Sequence, residues 1–275
     1  VRATDLDPGG VMSLSRKMRE LACAAVLFLS AGCSPQPSEE APPSAESSDA
    51  LSTDSIRGGA GSASVREDRA RTTMGASEEV SGSLVATARD SSLELHGQRG
   101  GTVTETLKNP TATGVPLTFM VVSTKKDWVQ VQVPVRPHGS TAWVAAGEVE
   151  LTRVPYSLVV STADNTLKLY RADELMETFP VATGTGGTPT PTGTFYLTEL
   201  ITPTNEGYGP FAYGLSAFSE ELTSFGGGPG QIGLHGTDDE SSLGEAVSHG
   251  CIRLSNPAIT QLSAILPLGT PIEIT

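Results

Sequence analysis

From Ser34 to about Ser83 the chain is Ser, Pro, Glu, Gly and Ala, with almost no aromatic or branched side chains. Such a stretch cannot bury enough apolar surface to offset the entropy of ordering it. It reads as a disordered tether over 34–83, and any core must be built by the residues that follow. The overall composition agrees, because hydrophobic residues make up only 37% of the 275. Net charge is −13 with no Lys/Arg block, which argues against nucleic acid as a partner. The three cysteines are Cys23, Cys33 and Cys251. They form no CxxC pair and are too few for a disulfide framework or a structural zinc site.

Residues 1–33 read as a targeting segment. Arg16, Lys17 and Arg19 precede an apolar run from Leu21 to Leu29, which is too short to span a bilayer as a mature helix. The run ends Leu29-Ser30-Ala31-Gly32-Cys33 and turns polar at once. Small residues before a cysteine resemble a bacterial lipobox, with one departure: Ser30 stands where leucine is usual. The resemblance implies an exported protein, lipidated at Cys33 and anchored at the outer face of the cytoplasmic membrane. An ordinary signal peptide cut nearby is the alternative. A fifty-residue tether spans roughly 40 Å by random-coil scaling, enough to let the folded part search the wall layer.

Residues 84–151 read as a small β module. Trp128-Val129-Gln130-Val131-Gln132-Val133 alternates strictly, which puts the valines on one face of a strand and the glutamines on the other. Leu93-Glu94-Leu95, Thr118 to Val122 and Ala142-Trp143-Val144 are further short strands between turn residues. Pro134 to Gly139 is turn chemistry. The pattern resembles the Src-homology-3-like barrels that precede wall-active enzymes. His96 and His138 sit at loop edges and are expected at the surface.

Residues 152–275 read as a second domain, a β sandwich or barrel with a single short helix. Leu158-Val159-Val160, Leu167 to Tyr170, Glu174 to Val181, Gly193 to Leu200 and Pro271 to Ile274 are its expected strands. Asn256 is the expected N-cap of the helix, with Pro257 at its first position. Ile259, Leu262, Ile265 and Leu266 would line the buried face.

The chemistry concentrates near the end of this domain. Once Cys33 is acylated, Cys251 is the only thiol left in the folded part, and a lone exported thiol is exposed to oxidation. It can be a small buried apolar residue. Its neighbours in Ser248-His249-Gly250-Cys251-Ile252-Arg253 point instead to a thiol whose ionised, nucleophilic form is favoured. Gly250 allows a tight turn in which successive amides can face one oxygen. His235 lies sixteen residues upstream in Gly233-Leu234-His235-Gly236-Thr237, and its strand-then-glycine context can bring the ring against Cys251. From the residues alone, acyl transfer and a structural cysteine both remain open.

"IGLHGTDDESSLGEAVSHGCIRL", together with "GTGGTPTPTGTFYL" upstream, is similar to the signature of the L,D-transpeptidase family. The resemblance covers most of Tyr156 to Thr275. It implies a nucleophile at Cys251, a base at His235 and a ring-orienting carbonyl at Gly236. The amides of His249, Gly250 and Cys251 would hold the oxyanion. Arg253 is implied either at the carboxylates of the substrate or in a structural ion pair. The side chain of His249 is open between packing and substrate contact. The implied substrates are peptidoglycan stem peptides: Cys251 attacks the amide before the terminal D-Ala of a tetrapeptide, and the acyl group passes to another stem as a 3→3 cross-link. A covalent carbapenem adduct is implied, and no cofactor.

Tyr208, Phe211, Tyr213, Phe218 and Phe225 lie among glycines between 202 and 230. They read as a lid or substrate wall, with Tyr213 assigned to the substrate, or else as residues packing the loop onto the barrel. Asp238, Asp239 and Glu240 make the approach acidic, either toward an acceptor amine or as a solvated loop. Three rivals stand beside the transpeptidase. One is a zinc hydrolase using His235, His249 and Cys251, although no HExxH accompanies them. Another is an L,D-carboxypeptidase or wall-protein-attaching enzyme with the same first step. The third is a non-catalytic wall-binding lipoprotein.

Overall fold

The computed structural model describes residues 81–225 and 228–275. The expected signal peptide, the lipidation at Cys33 and nearly all of the tether lie outside the described residues.

The fold of the described residues is mainly β with one α-helix. Seven strands come first: β1 Ser83–Ala88, β2 Ser92–His96, β3 Val103–Lys108, β4 Thr118–Lys125, β5 Trp128–Gln132, β6 Thr141–Ala145 and β7 Val149–Val154. They form one sheet in the order β3-β2-β6-β5-β4-β1-β7, with every pairing antiparallel. Among the described residues no pairing joins the edges β3 and β7. Leu93, Phe119, Val129, Val131 and Val144, from four neighbouring strands, share one core.

Alternation along β5 holds for the valines: Val129, Val131 and Val133 are all buried. It fails for the glutamines. Gln132 is buried as well, since its Nε2 donates to Thr194 O at 2.9 Å. Its backbone oxygen accepts from the Tyr196 hydroxyl at 3.1 Å. Tyr196 is fully buried within the first sheet's core although it belongs to the second sheet. The polar face of β5 is therefore an internal contact at Gln132, while Gln130 stays half-buried and bonds Ser123 and Thr141. The histidines expected at the surface depart in the same way. His96 is buried, edge-on to Trp128 at 4.9 Å. His138 is half-buried, and its Nε2 accepts from Phe218 N at 3.0 Å.

The second sheet is built from β8 Tyr156–Ser161, β9 Thr166–Arg171, β10 Glu174–Pro180, β12 Gly193–Ile201, β13 Ala212–Phe218, β14 Gln231–His235, β16 Ile252–Arg253 and β17 Pro271–Ile274. Its order is β10-β9-β8-β17-β12-β13-β14-β16. Only β8–β17 and β14–β16 are parallel. A separate parallel pair joins β11 Thr183–Gly184 to β15 Ala246–Ser248.

The helix α1 runs Asn256–Ile265. Its N-cap is Ser255, whose Oγ accepts from Ala258 N at 3.3 Å, one residue before the expected Asn256. Ala258, Ile259 and Leu262 enter the core, and Leu266 joins them beyond the helix, but Ile265 is exposed, contrary to the helical stripe read from sequence. Releasing Asn256 from capping has a consequence at the site: its side chain wedges between Gly209 and Gly236, where a Cβ on either glycine would collide with its Oδ1.

Candidate functional site

The parallel pairing of β14 with β16 aligns Leu234 with Ile252 and His235 with Arg253. One step back along the same register, the Gly233 amide donates to Cys251 Sγ at 3.3 Å. The sixteen-residue gap between His235 and Cys251 is thus closed by adjacent strands, with β15 and a short 3-10 turn at 240–242 as the return path.

His235 is buried, and its Nδ1 lies 2.6 Å from the carbonyl oxygen of Gly236. A carbonyl only accepts, so Nδ1 carries the proton and Nε2 keeps a free lone pair. Gly236 is held in turn, its amide donating to Phe211 O at 3.3 Å and its α-carbon backed by Asn256. Tyr208 covers the imidazole, with ring centroids 4.4 Å apart.

Cys251 leaves a turn that the Gly/Thr/Pro segment supports. The Ser248 hydroxyl donates to Cys251 O at 2.6 Å and accepts from Gly250 N at 3.1 Å. Thr190 Oγ1 donates to Gly250 O at 2.9 Å, and its own oxygen accepts from Gly184 N at 2.8 Å. Gly250 sits at φ +115°, and a Cβ there would press to 3.1 Å from Ile232 Cδ1. This bonding corrects one expectation. The Gly250 amide is committed to Ser248, so it does not face an incoming oxygen. Among the described residues no acceptor is bonded to the amides of His249 and Cys251.

Burial dominates the electrostatics. It pushes the Cys251 thiol up, while the Gly233 amide and the Arg253 charge pull in the other direction. His235 is lowered to about 4, first by burial and further by Arg253, against the opposing bond to Gly236. The resting pair is therefore neutral thiol and neutral imidazole. Burial likewise raises the Tyr208 hydroxyl, with Cys251 adding to the rise and Arg253 opposing it. Arg253 is half-buried, and among the described residues no carboxylate lies within ion-pair distance of it. The structural ion pair weighed from sequence is not formed.

These groups open on a cleft of about 320 Å³, whose walls include Tyr208, Phe225, Asp238, His249 and Arg253. Phe225 stacks on the exposed ring of His249, with centroids 5.6 Å apart. Tyr213 does not reach the cleft. It is fully buried, and its hydroxyl donates to Leu266 O at 2.9 Å. The aromatic beside the imidazole is Tyr208, presented by the turn in which Asn205 Oδ1 accepts from Gly207 N at 3.0 Å. The Asn-x-Gly-Tyr-Gly stretch was the available signal, since it marks a turn that aims a side chain outward. Among the described residues, no three His, Cys, Asp or Glu side chains converge as a metal site. A second cleft, of about 370 Å³ between Val85, Thr152, Arg153 and Leu268, is lined by no cysteine, histidine or carboxylate.

Fold and site together define a mainly β protein with a thiol and a carbonyl-oriented imidazole at one cleft. The family model of the L,D-transpeptidase catalytic domain, YkuD, matches residues 155–274. A Bacillus licheniformis protein bearing the name L,D-transpeptidase YkuD is 41% identical over 123 residues, which is 44% of this chain and 67% of that protein. YqjB of Bacillus subtilis, named in the same way, is 32% identical over 143 residues, covering 47% of this chain and 76% of that one. L,D-transpeptidase 3 from Mycobacterium tuberculosis, solved with a faropenem-derived adduct, matches at TM-score 0.39 and 13% identity over 54% of this chain and 91% of that one. The chain belongs to the L,D-transpeptidase family.

Proposed function

We propose that the chain is a peptidoglycan L,D-transpeptidase that forms 3→3 cross-links through an acyl-enzyme on Cys251. The observation that carries this reading is the β14–β16 register, which seats the thiol on the Gly233 amide beside a buried imidazole with a free Nε2.

Cys251 Sγ attacks the carbonyl that precedes the terminal D-Ala of a tetrapeptide stem, and its proton passes to His235 Nε2. The amides of His249 and Cys251 donate to the oxyanion. Collapse breaks the C–N bond, and D-Ala leaves with the proton returned by His235. The side-chain amine of a second stem then attacks the thioester, gives its proton to His235 and regenerates the thiol. The resting pair is neutral, so the charge separation develops only on attack. The Arg253 guanidinium, which no described carboxylate approaches within ion-pair distance, takes a carboxylate of the stem. Carbapenems acylate the same sulfur. A lipid on Cys33 holds the enzyme at the outer face of the cytoplasmic membrane, in the cell-wall space.

The test incubates the full chain with purified disaccharide-tetrapeptide and reads the products by mass, with Cys251→Ala as control. A Cys251-dependent dimer that has lost one D-Ala supports the proposal. Tripeptide alone makes the protein an L,D-carboxypeptidase, and no product at all ends the reading. Palmitate labelling abolished by Cys33→Ala tests the anchor.

A further inference from the structure

The turn at 134–139, which follows β5 of the first sheet, reaches the neck of the segment that brings Phe225 to the Cys251 cleft. Val133 N donates to Ser140 O at 2.9 Å and the Ser140 hydroxyl to Pro137 O at 2.6 Å, which closes the turn and directs Arg136 outward. Arg136 Nη2 lies 2.7 Å from Ser219 O, 3.0 Å from Pro229 O and 3.3 Å from Leu222 O. Its guanidinium also lies over the Phe218 ring, 5.0 Å from the centroid. Two residues on, His138 Nε2 accepts the Phe218 amide at 3.0 Å, so Nδ1 carries the ring's proton and turns toward the Glu220 carboxylate at 3.8 Å.

All of these partners lie at the neck of one strap. Ser219 N donates to Gly230 O at 2.7 Å, and Leu222 N donates to Ser219 Oγ at 2.9 Å. Phe225 and Gly228 exchange two backbone bonds of 3.0 Å. The strap's aromatic residue, Phe225, then lies on His249, two residues before the thiol. Phe225 itself is exposed on its other side, so little besides the neck and the His249 ring determines where it stands.

We propose that Arg136 is a positioning residue for the stem peptide: by gathering the carbonyls of Ser219, Leu222 and Pro229 it sets the strap that carries Phe225 against His249 as a wall of the cleft. The first sheet therefore completes the substrate site of the second in cis. A guanidinium suits this task because the two N–H bonds of Nη2, shared among the three carbonyls, are fixed in a plane that rests on Phe218. Alanine releases both contacts, whereas lysine keeps a donor for the carbonyls and loses the planar contact. The inference rests on the transpeptidase reading for its substrate but not for its geometry.

The experiment compares Arg136→Ala, Arg136→Lys, Phe225→Ala and the Arg136→Ala/Phe225→Ala pair in the full chain. Arg136→Ala is expected to raise KM for disaccharide-tetrapeptide roughly tenfold with kcat changed less than about twofold. Arg136→Lys recovers most of that loss. Phe225→Ala gives the same defect, and the double variant is no worse than either single one. Alkylation of Cys251 by iodoacetamide, which needs no wall, stays at the parent rate. Hydrogen exchange of the amides at 219–225 and 228–230 quickens in Arg136→Ala. An unchanged KM, additive losses in the double variant, or a fall in kcat matched by slower alkylation would overturn the proposal. If Arg136→Ala does not fold, Arg136→Met, which keeps the aliphatic stem and has no donor, takes its place and is judged by the same criteria. Should the parent chain not turn over tetrapeptide, the functional reading fails, and the exchange measurement still decides whether Arg136 holds the strap.

Discussion

The two sheets spend their burial differently. In the first, the buried side chains are nearly all aliphatic, and its one buried imidazole, His96, is spent on Gly101 O and Trp128. In the second, a buried imidazole keeps Nε2 free beside a thiol and a half-buried arginine. Burying polar groups without partners costs stability, and both regions bear that cost: Gln132 Oε1 and Glu148 Oε2 lie unpartnered with the first sheet, and Asn256 Oδ1 with the second. The sheets differ in that only the second places such groups beside a reactive thiol. The first contributes packing through Gln132, and purchase on a loop through Arg136. The contrast predicts that substitutions divide cleanly: some remove activity and leave the fold, others loosen the fold and leave the chemistry.

The largest expected effect is Cys251→Ala. Release of D-Ala should fall by about 10³-fold or more, with the melting temperature within a few degrees of the parent, because the half-buried sulfur gives up one amide contact only. A variant that still releases D-Ala would place the nucleophile elsewhere. Next is Tyr196→Ala at the junction of the sheets. It empties a fully buried aromatic site and removes the hydroxyl bond to Gln132 O, for about 3–5 kcal/mol of stability. Chemical denaturation checks the loss, and kcat per folded molecule should hold. A drop in kcat at full folding would show that the junction also tunes the site.

His235 links the two kinds of effect. Its folded pKa of about 4 lies below the roughly 6.5 of an unfolded histidine. Between those values the unfolded chain binds a proton that the folded chain does not, so stability falls as pH drops through that window. The slope is at most about 1.4 kcal/mol per pH unit, or about 3 kcal/mol in all. Urea midpoints at pH 7 and 4.5 for the parent and His235→Gln measure it, and equal pH dependence would disprove the buried neutral ring. The same depression sets the acid limb of acylation near pH 4 rather than 6.5. His235→Ala should slow acylation by about 10²-fold, and an unchanged rate would move the base elsewhere.

How much of this was legible in sequence depended on whether the deciding partner was near in the chain. The valines of β5 announced themselves because alternation is local, and so did the Ser-His-Gly-Cys turn, whose Ser248 bonds stay within three residues. Gln132 looked solvated because its partner, Thr194, is supplied by another sheet. Tyr213 and Tyr208 were indistinguishable as aromatics among glycines. Strand register turned the first into the core, while a 3-10 turn at 206–208 presented the second to the cleft. His138 and Arg136 looked like turn residues, since nothing nearby in sequence points to a backbone amide and carbonyls some eighty or more residues away.

The smallest expected effect concerns the Gly250 amide. Ser248 Oγ takes that amide and gives its proton to Cys251 O, so Ser248→Ala leaves a buried turn with one donor and one acceptor unmet. The cost should be about 1–2 kcal/mol. Two consequences for acylation oppose one another. The freed Gly250 amide becomes able to face the oxyanion, while the turn that aligns the amides of His249 and Cys251 loses its brace. Donors fixed in place before the reaction outweigh one extra donor that must first find its orientation. Acylation by a carbapenem should therefore slow by roughly tenfold or less, short of the His235→Ala effect. A faster rate would mean that the amide held by Ser248 is the better oxyanion donor, and that the parent turn trades rate for stability.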